Sequence, residues 1–154
     1  MPGQRRGTAI AMTEDERDTF LRSRPVCRVA TVGRDGRPHA SALWFIWDGS
    51  GVWLNSLTRS RRWADLDGDP RLSVIVDDGG LDFLHLRGVE LQGRAEVVGE
   101  VPRKGEPHDE LAVPERLFAD KYAGGGTLRH DGRHAWLRLH PEKIASWDFA
   151  KLHA

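Results

Sequence analysis

The sequence predicts a mainly β domain, a closed or nearly closed antiparallel barrel with short helices, and three observations predict it. Seven extended runs are separated by turns rich in Gly and Asp. No strand–helix–strand alternation of the kind that builds a parallel sheet runs through the chain. One long run alternates strictly, with Val89, Leu91, Gly93, Ala95 and Val97 set against Glu90, Gln92, Arg94 and Glu96. That period of two puts one face on a core and the other in water.

Taken in order, residues 1–12 (MPGQRRGTAIAM) show no periodicity and read as a loose, disordered leader, with Met12 an alternative start. A single domain then fills residues 13–154. Thr13 and Glu16 form a capping box for a short helix to about Leu21, with Phe20 and Leu21 toward the core and Pro25 as its stop. Strands are expected over residues 26–32, 38–47 and 52–57. Asp35-Gly36 and then Asp48-Gly49-Ser50-Gly51 supply the hairpin turns. A short helix follows over about 60–66, with Ser60 as N-cap and Gly68-Asp69-Pro70 as its close. Residues 71–76 read as a buried strand and 77–80 as a turn. The alternating strand is expected to start at Phe83, with Gly88 or Gly93 marking a bulge. Leu111, Leu117 and Phe118 share one side of a helix over 108–122, ended by three glycines. Two last strands, 134–139 and 143–149, are split at Pro141.

The chain of 154 residues, 39% hydrophobic and 30% charged, is long enough for one globular core. Its formal net charge is zero, which gives no global support for binding nucleic acid or a membrane surface. A nucleic-acid-binding barrel would need a basic face with exposed aromatics. A single cysteine, no apolar run of membrane-spanning length and no signal-peptide core suit a cytoplasmic protein.

The chemistry concentrates where the third strand meets the second helix, LNSLTRSRRWADL. Thr58 and Ser60 hydroxyls, free N–H groups at a helix start, and Arg59, Arg61 and Arg62 suit a phosphate. Two readings stand on these residues alone: an anion site, in which Arg61 and an exposed Arg62 face one phosphate, or a solvated basic turn answered by Asp65, Asp67 and Asp69. His130, His134 and His140 lack a metal motif, because Asp131-Gly132 is a turn rather than a helix face; they read as exposed loop histidines. Cys27 reads as a buried small hydrophobe. Of the six tryptophans, any one is best explained as core. The set is large enough to offer flat faces to a planar cofactor.

Several segments in order resemble the pyridoxamine 5′-phosphate oxidase-like split-barrel superfamily. They are Arg28-Val29-Ala30-Thr31-Val32 before a Gly-rich turn, Pro38-His39-Ala40, the segment Leu54 to Leu66, and Asp69-Pro70-Arg71-Leu72-Ser73. Arg87-Gly88-Val89-Glu90-Leu91-Gln92-Gly93-Arg94-Ala95 and Pro141-Glu142-Lys143-Ile144 through Trp147 continue the match. The resemblance implies a split β-barrel of the FMN-binding type, a homodimer with cofactor sites at its interface. It implies FMN or the deazaflavin coenzyme F-420 as cofactor and hydride exchange with a small organic substrate; a haem- or flavin-binding protein without turnover is the alternative on the same fold. Carried over by motif, Ser41, Ala42, Leu43 and Trp44 would lie along the ring, and Asn55 and Ser56 near it. Thr58, Ser60, Arg61 and Arg62 would hold the phosphate, and Arg87 would reach in from the central strand. No metal and no side-chain acid–base pair is expected. Two departures, Gly88 where the oxidases carry Gln and the lack of basic residues after Trp147, point away from vitamin B6 oxidation. The arginine cluster favours the more heavily charged tail of F-420.

Overall fold

The computed structural model describes residues 3–153. Seven strands make one antiparallel sheet: β1 (Cys27–Val32), β2 (Pro38–Leu43), β3 (Ile46–Trp47), β4 (Val52–Leu57), β5 (Arg71–Asp78), β6 (Arg87–Val98) and β7 (His134–Asp148). Three helices, α1 (Glu14–Ser23), α2 (Arg61–Gly68) and α3 (Asp109–Tyr122), pack on it. The strand order is β2-β1-β5-β6-β7-β4-β3. Although β2 and β4 stand first and sixth in that order, Arg62 hydrogen-bonds to a serine on each, so the sheet is curled into a half-barrel. The mainly β class read from the sequence is the class of the fold.

Local chemistry fixes the elements as expected in several places. The capping box is complete, with Glu16 N donating to Thr13 Oγ1 at 3.2 Å and Thr13 N to Glu16 Oε2 at 3.1 Å. In the β3–β4 hairpin, Asp48 accepts from Ser50 N (2.8 Å), Gly51 N (2.7 Å) and the Trp53 indole (2.8 Å). Burial pushes the Asp48 pKa up, but these donors outweigh it and hold the carboxyl below its ordinary value.

Four boundaries differ from expectation, each for a visible reason. The run 38–47 breaks after Leu43, because the Phe45 N–H and C=O both bond to the Tyr122 hydroxyl (3.1 and 3.0 Å) instead of a strand. Residues 134–148 form one strand that passes through Pro141. Its ladder with β6 shifts register at Gln92/Gly93, and a Cβ on Gly93 would sit 2.0 Å from the His140 carbonyl oxygen. A glycine-accommodated bulge thus absorbs the proline. Phe83–His85 is a 3₁₀ turn, so β6 starts at Arg87. The leader is not loose from Gln4 onward: the Gln4 amide brackets the Ser146 backbone (3.1 and 2.9 Å) and Met12 N donates to Ser146 Oγ at 2.9 Å. Met1 and Pro2 of that leader lie outside the described residues.

Two apolar clusters flank the sheet. Phe20 and Leu21 of α1 plug the concave side with Cys27, Val29, Phe45, Leu54, Val74, Leu91 and their neighbours. Leu111 and Phe118 of α3 cover the other side with Ile46, Trp53, Val98 and Trp136. Strands β3, β4 and β7 lie between the two, which is why their sequence is apolar in runs rather than in alternation. Cys27 is fully buried, and burial pushes its thiol up to about 12, an inert small hydrophobe as expected. Among the described residues no helix is long and apolar enough to cross a membrane.

Candidate functional site

At the β4–α2 junction Ser60 performs the capping its position demands: its Oγ accepts from Trp63 N at 3.1 Å and donates to the Leu57 carbonyl at 2.8 Å. The cap starts the helix abruptly, and successive residues on a helix diverge by about 100°. Arg61 and Arg62 accordingly part. Arg61 turns outward to Asp65, with Nε 3.1 Å from Oδ1. Asp65 is buried and also accepts from Thr31 Oγ1 at 2.8 Å; burial raises its pKa, but Thr31 and Arg61 outweigh that and keep it lowered. Arg62 turns inward and is only 7% exposed. The two guanidiniums do not face one point, and Arg62 is not the exposed side chain the sequence suggested.

The surroundings of Arg62 are unusual for a buried cation. Nε donates to Ser56 Oγ at 3.1 Å and Nη1 to Ser41 Oγ at 2.7 Å, both neutral acceptors. No carboxylate among the described residues pairs with it, and burial pulls its pKa below the ordinary arginine value. Arg103, equally buried at 5%, shows the usual arrangement. It forks onto Glu115 (2.9 Å twice) and pairs with Glu100, and the Glu115 hydrogen bonds raise its pKa. An unpaired buried charge costs several kcal/mol by the usual order of magnitude, which sets Arg62 apart from Arg103.

A cleft of about 320 Å³ opens where β2 ends, and its lining includes neither serine nor Arg62; Asn55, which lines it, alternates with Ser56 along β4 and so projects from the other face of that strand. Leu43, Trp44 and Asn55 line one side. Trp44 is 51% exposed and stacks on Tyr122 with ring centroids 4.4 Å apart and planes 7° from parallel. Tyr122 is itself anchored by its hydroxyl to Pro25 and Phe45, so the indole offers water a rigid flat face. Burial pushes the Tyr122 hydroxyl up to about 12, which keeps it a donor. Phe118, packed against Trp44 with centroids 6.0 Å apart, and Arg103, Leu128, Arg129, His130, Asp131 and His134 complete the lining, none of which the sequence assigned to the site.

The residues carried over by motif therefore separate into groups. Ser41, Ser56 and Arg62 meet; Leu43, Trp44 and Asn55 share a separate cleft. Ala42 lies on the exposed face of β2, away from the core-facing Ser41 and Leu43. Thr58 is tied to the Arg133 carbonyl through N (3.0 Å) and Oγ1 (3.3 Å), and Ser60 serves the cap. Arg87 is elsewhere in this chain: it pairs with Asp78 (2.9 Å) and lies 5.0 Å over the Phe20 ring. Gly88 beside it has a structural cause, since a Cβ there would fall 2.3 Å from the Trp147 ring. The indole fills the space that a glutamine would need.

A flavin-type cofactor needs a planar apolar slot and a cation for its phosphate, and the Trp44 cleft and Arg62 fit those two demands. Comparison with known proteins gives the family and the fold. No curated protein matches the chain. Among solved structures, a conserved hypothetical protein, Rv2991, from Mycobacterium tuberculosis is 29% identical over 98% of this chain and 94% of its own, with a TM-score of 0.82. A structure described as an F420 reductase is 23% identical over 82% of this chain and 94% of its own, TM-score 0.61. HutZ, the haem storage protein of Vibrio cholerae, is 17% identical over 89% of this chain and 97% of its own, TM-score 0.67. The last two share the fold. The family model described as pyridoxamine 5′-phosphate oxidase matches residues 13–148, and the chain belongs to that family.

Proposed function

We propose that this protein is an oxidoreductase that binds a phosphate-bearing flavin-type cofactor, coenzyme F-420 first and FMN as the alternative, and exchanges hydride with a small organic substrate. The observation that carries the reading is Arg62, a buried guanidinium held by two serine hydroxyls with no carboxylate to balance it. When bound, the cofactor's ring system supplies the hydride chemistry. The chain's own part is to hold and shield. Arg62 would take the phosphate, with Ser41 and Ser56 fixing the fork, and Trp44, Leu43 and Asn55 would bound the ring. Exposed Arg59 at the rim of the same junction supports the longer charged tail of F-420; Arg61 contributes less, because Asp65 already neutralises it. Trp147 over Gly88, and Asp148-Phe149-Ala150 in place of basic residues, support a substrate other than a vitamin B6 phosphate. The reading carries with it a homodimer, in which a second copy would complete the site.

Titration of the purified protein with F-420 and with FMN, followed by fluorescence quenching, tests this directly. Micromolar binding of at least one is expected. In Arg62→Met that affinity should fall by about 1.5–3 kcal/mol, the scale of a charge-assisted hydrogen bond, while riboflavin, which lacks phosphate, should bind as before. Binding of neither cofactor by the wild-type chain would overturn the reading.

A further inference from the structure

The cleft wall facing Trp44 carries a pair of residues with a geometry of its own. Asp131 opens the turn before β7, and its Oδ1 accepts from the backbone N–H of Arg133 at 2.8 Å and of His134 at 3.2 Å. Those two bonds fix the carboxylate without using Oδ2. Oδ2 then lies 2.7 Å from His134 Nδ1 and 3.6 Å from Arg133 Nε. An ionised carboxylate can only accept, and the backbone donors hold the Asp131 pKa below its ordinary value, so Nδ1 carries the proton. Nε2 is the nitrogen left, and among the described residues it has no hydrogen-bond partner. Histidine and aspartate both line the cleft with Asn55 and Trp44. His134 is also held in place as the first residue of β7, paired in register with Leu57 of β4. Histidine oriented through Nδ1 by a fixed carboxylate, with Nε2 open to a pocket, is the arrangement that general acid–base chemistry uses.

We propose that His134, aligned by Asp131, is the catalytic proton donor and acceptor of the Trp44 cleft. The proposal rests on the hydride-transfer reading above and adds the residue that completes it. Reduction of an electron-poor double bond needs a hydride and a proton. The hydride, with its two electrons, would be supplied by a reduced flavin-type cofactor when one is bound. As it joins one carbon, the π pair moves to the neighbouring atom. The imidazolium of His134 releases its Nε2 proton to that atom, and the N–H electrons stay on the ring as neutral imidazole. Asp131 remains ionised and keeps the Nδ1–H throughout. Water returns the proton afterwards. Other charged or titratable groups facing the ring are Arg133 on its own turn, Arg129 and His130 just before it, and Arg103 across the cleft, already paired with Glu100 and Glu115. His140 is the natural control, because it too pairs with a carboxylate, Glu96, but it stands on β7 opposite Arg94 and lines no part of the cleft.

The test uses full-length protein loaded with whichever cofactor it binds, 2-cyclohexen-1-one as the probe acceptor, and ¹⁵N-labelled histidine. The expected spectrum shows His134 as the Nδ1–H form, and the Nε2 resonance moves when cofactor and probe are added. His134→Gln should bind cofactor as wild type does yet reduce the probe about 10²–10⁴-fold more slowly, the range of general acid catalysis, with loss of the solvent deuterium isotope effect. Asp131→Asn should lose the Nδ1–H preference and part of the rate, and His140→Gln should lose neither. If the wild type binds no cofactor, the hydride reading itself falls. If it binds cofactor but His134→Gln matches the wild-type rate, or Nε2 does not respond to the ligands, the proton-donor role falls alone.

Discussion

Two buried arginines carry opposite messages, and substitution separates them. Arg103→Met would strand Glu100 and Glu115 without their cation and should cost about 3–5 kcal/mol in urea denaturation. Arg62→Met removes a charge that has no counter-ion, so its stability should stay within about 1 kcal/mol of wild type or rise. Lys121 offers a third case. It reaches the Phe45 carbonyl at 3.3 Å and lies 4.1 Å over the Phe45 ring, and burial pushes its ammonium down to about 8 from 10.5. The folded pKa is below the unfolded one, so between those values the unfolded chain holds the extra proton and stability rises with pH. The rise should be roughly 1–3 kcal/mol from pH 8 to 10.5, the lower end allowing for partial exposure, and Lys121→Met should flatten it in denaturation curves taken across that range. At this scale the sequence showed Arg62 through its motif but not its burial, because helix periodicity separates Arg61 from Arg62 without saying which one meets the sheet. His134 is hidden for a similar reason: Asp131-Gly132 reads as a turn, and it is that turn which brings Asp131 back onto the histidine.

Elements were legible wherever short-range chemistry decides them. The capping box of α1, the Asp48 hairpin and the Ser60 cap are all bonds between residues a few positions apart. Ser60→Ala should therefore cost about 1 kcal/mol of stability by urea denaturation. It should also weaken cofactor binding, because the cap aims the first turn that carries Arg62. What failed were breaks imposed by distant partners: Tyr122 stops β2, and the β6 ladder carries β7 through Pro141. Gly88 illustrates the same dependence. Gly88→Ala would drive a methyl into the Trp147 ring and should destabilise by several kcal/mol, whereas Gly88→Ala in a Trp147→Ala background should cost much less than the sum of the two. Additive losses in thermal melts would show that Gly88 matters for its backbone and not for the indole above it.

At the scale of the whole molecule, strands β2 and β1 present Ala40, Ala42 and Ala30 on an exposed face, small residues that leave the backbone open to close approach. The proposed homodimer makes a specific demand on this surface. Ala42→Arg should shift the sedimentation of the protein from dimer toward monomer and weaken the cofactor with it; an unchanged sedimentation profile would place any dimer contact elsewhere. The curl of the sheet has a further consequence. Between β2 and β4 no ladder of backbone bonds runs, and the span is bridged by one guanidinium on two hydroxyls. A gap held that way should open on the timescale of side-chain exchange, whereas the twelve-residue ladder of β6 against β7 should open only on unfolding. Amide hydrogens of β2 on its outer edge should thus exchange with deuterium far sooner than those of β6, and an anion on Arg62 would slow them, so that ligand binding registers as quieting of one seam in an otherwise silent wall.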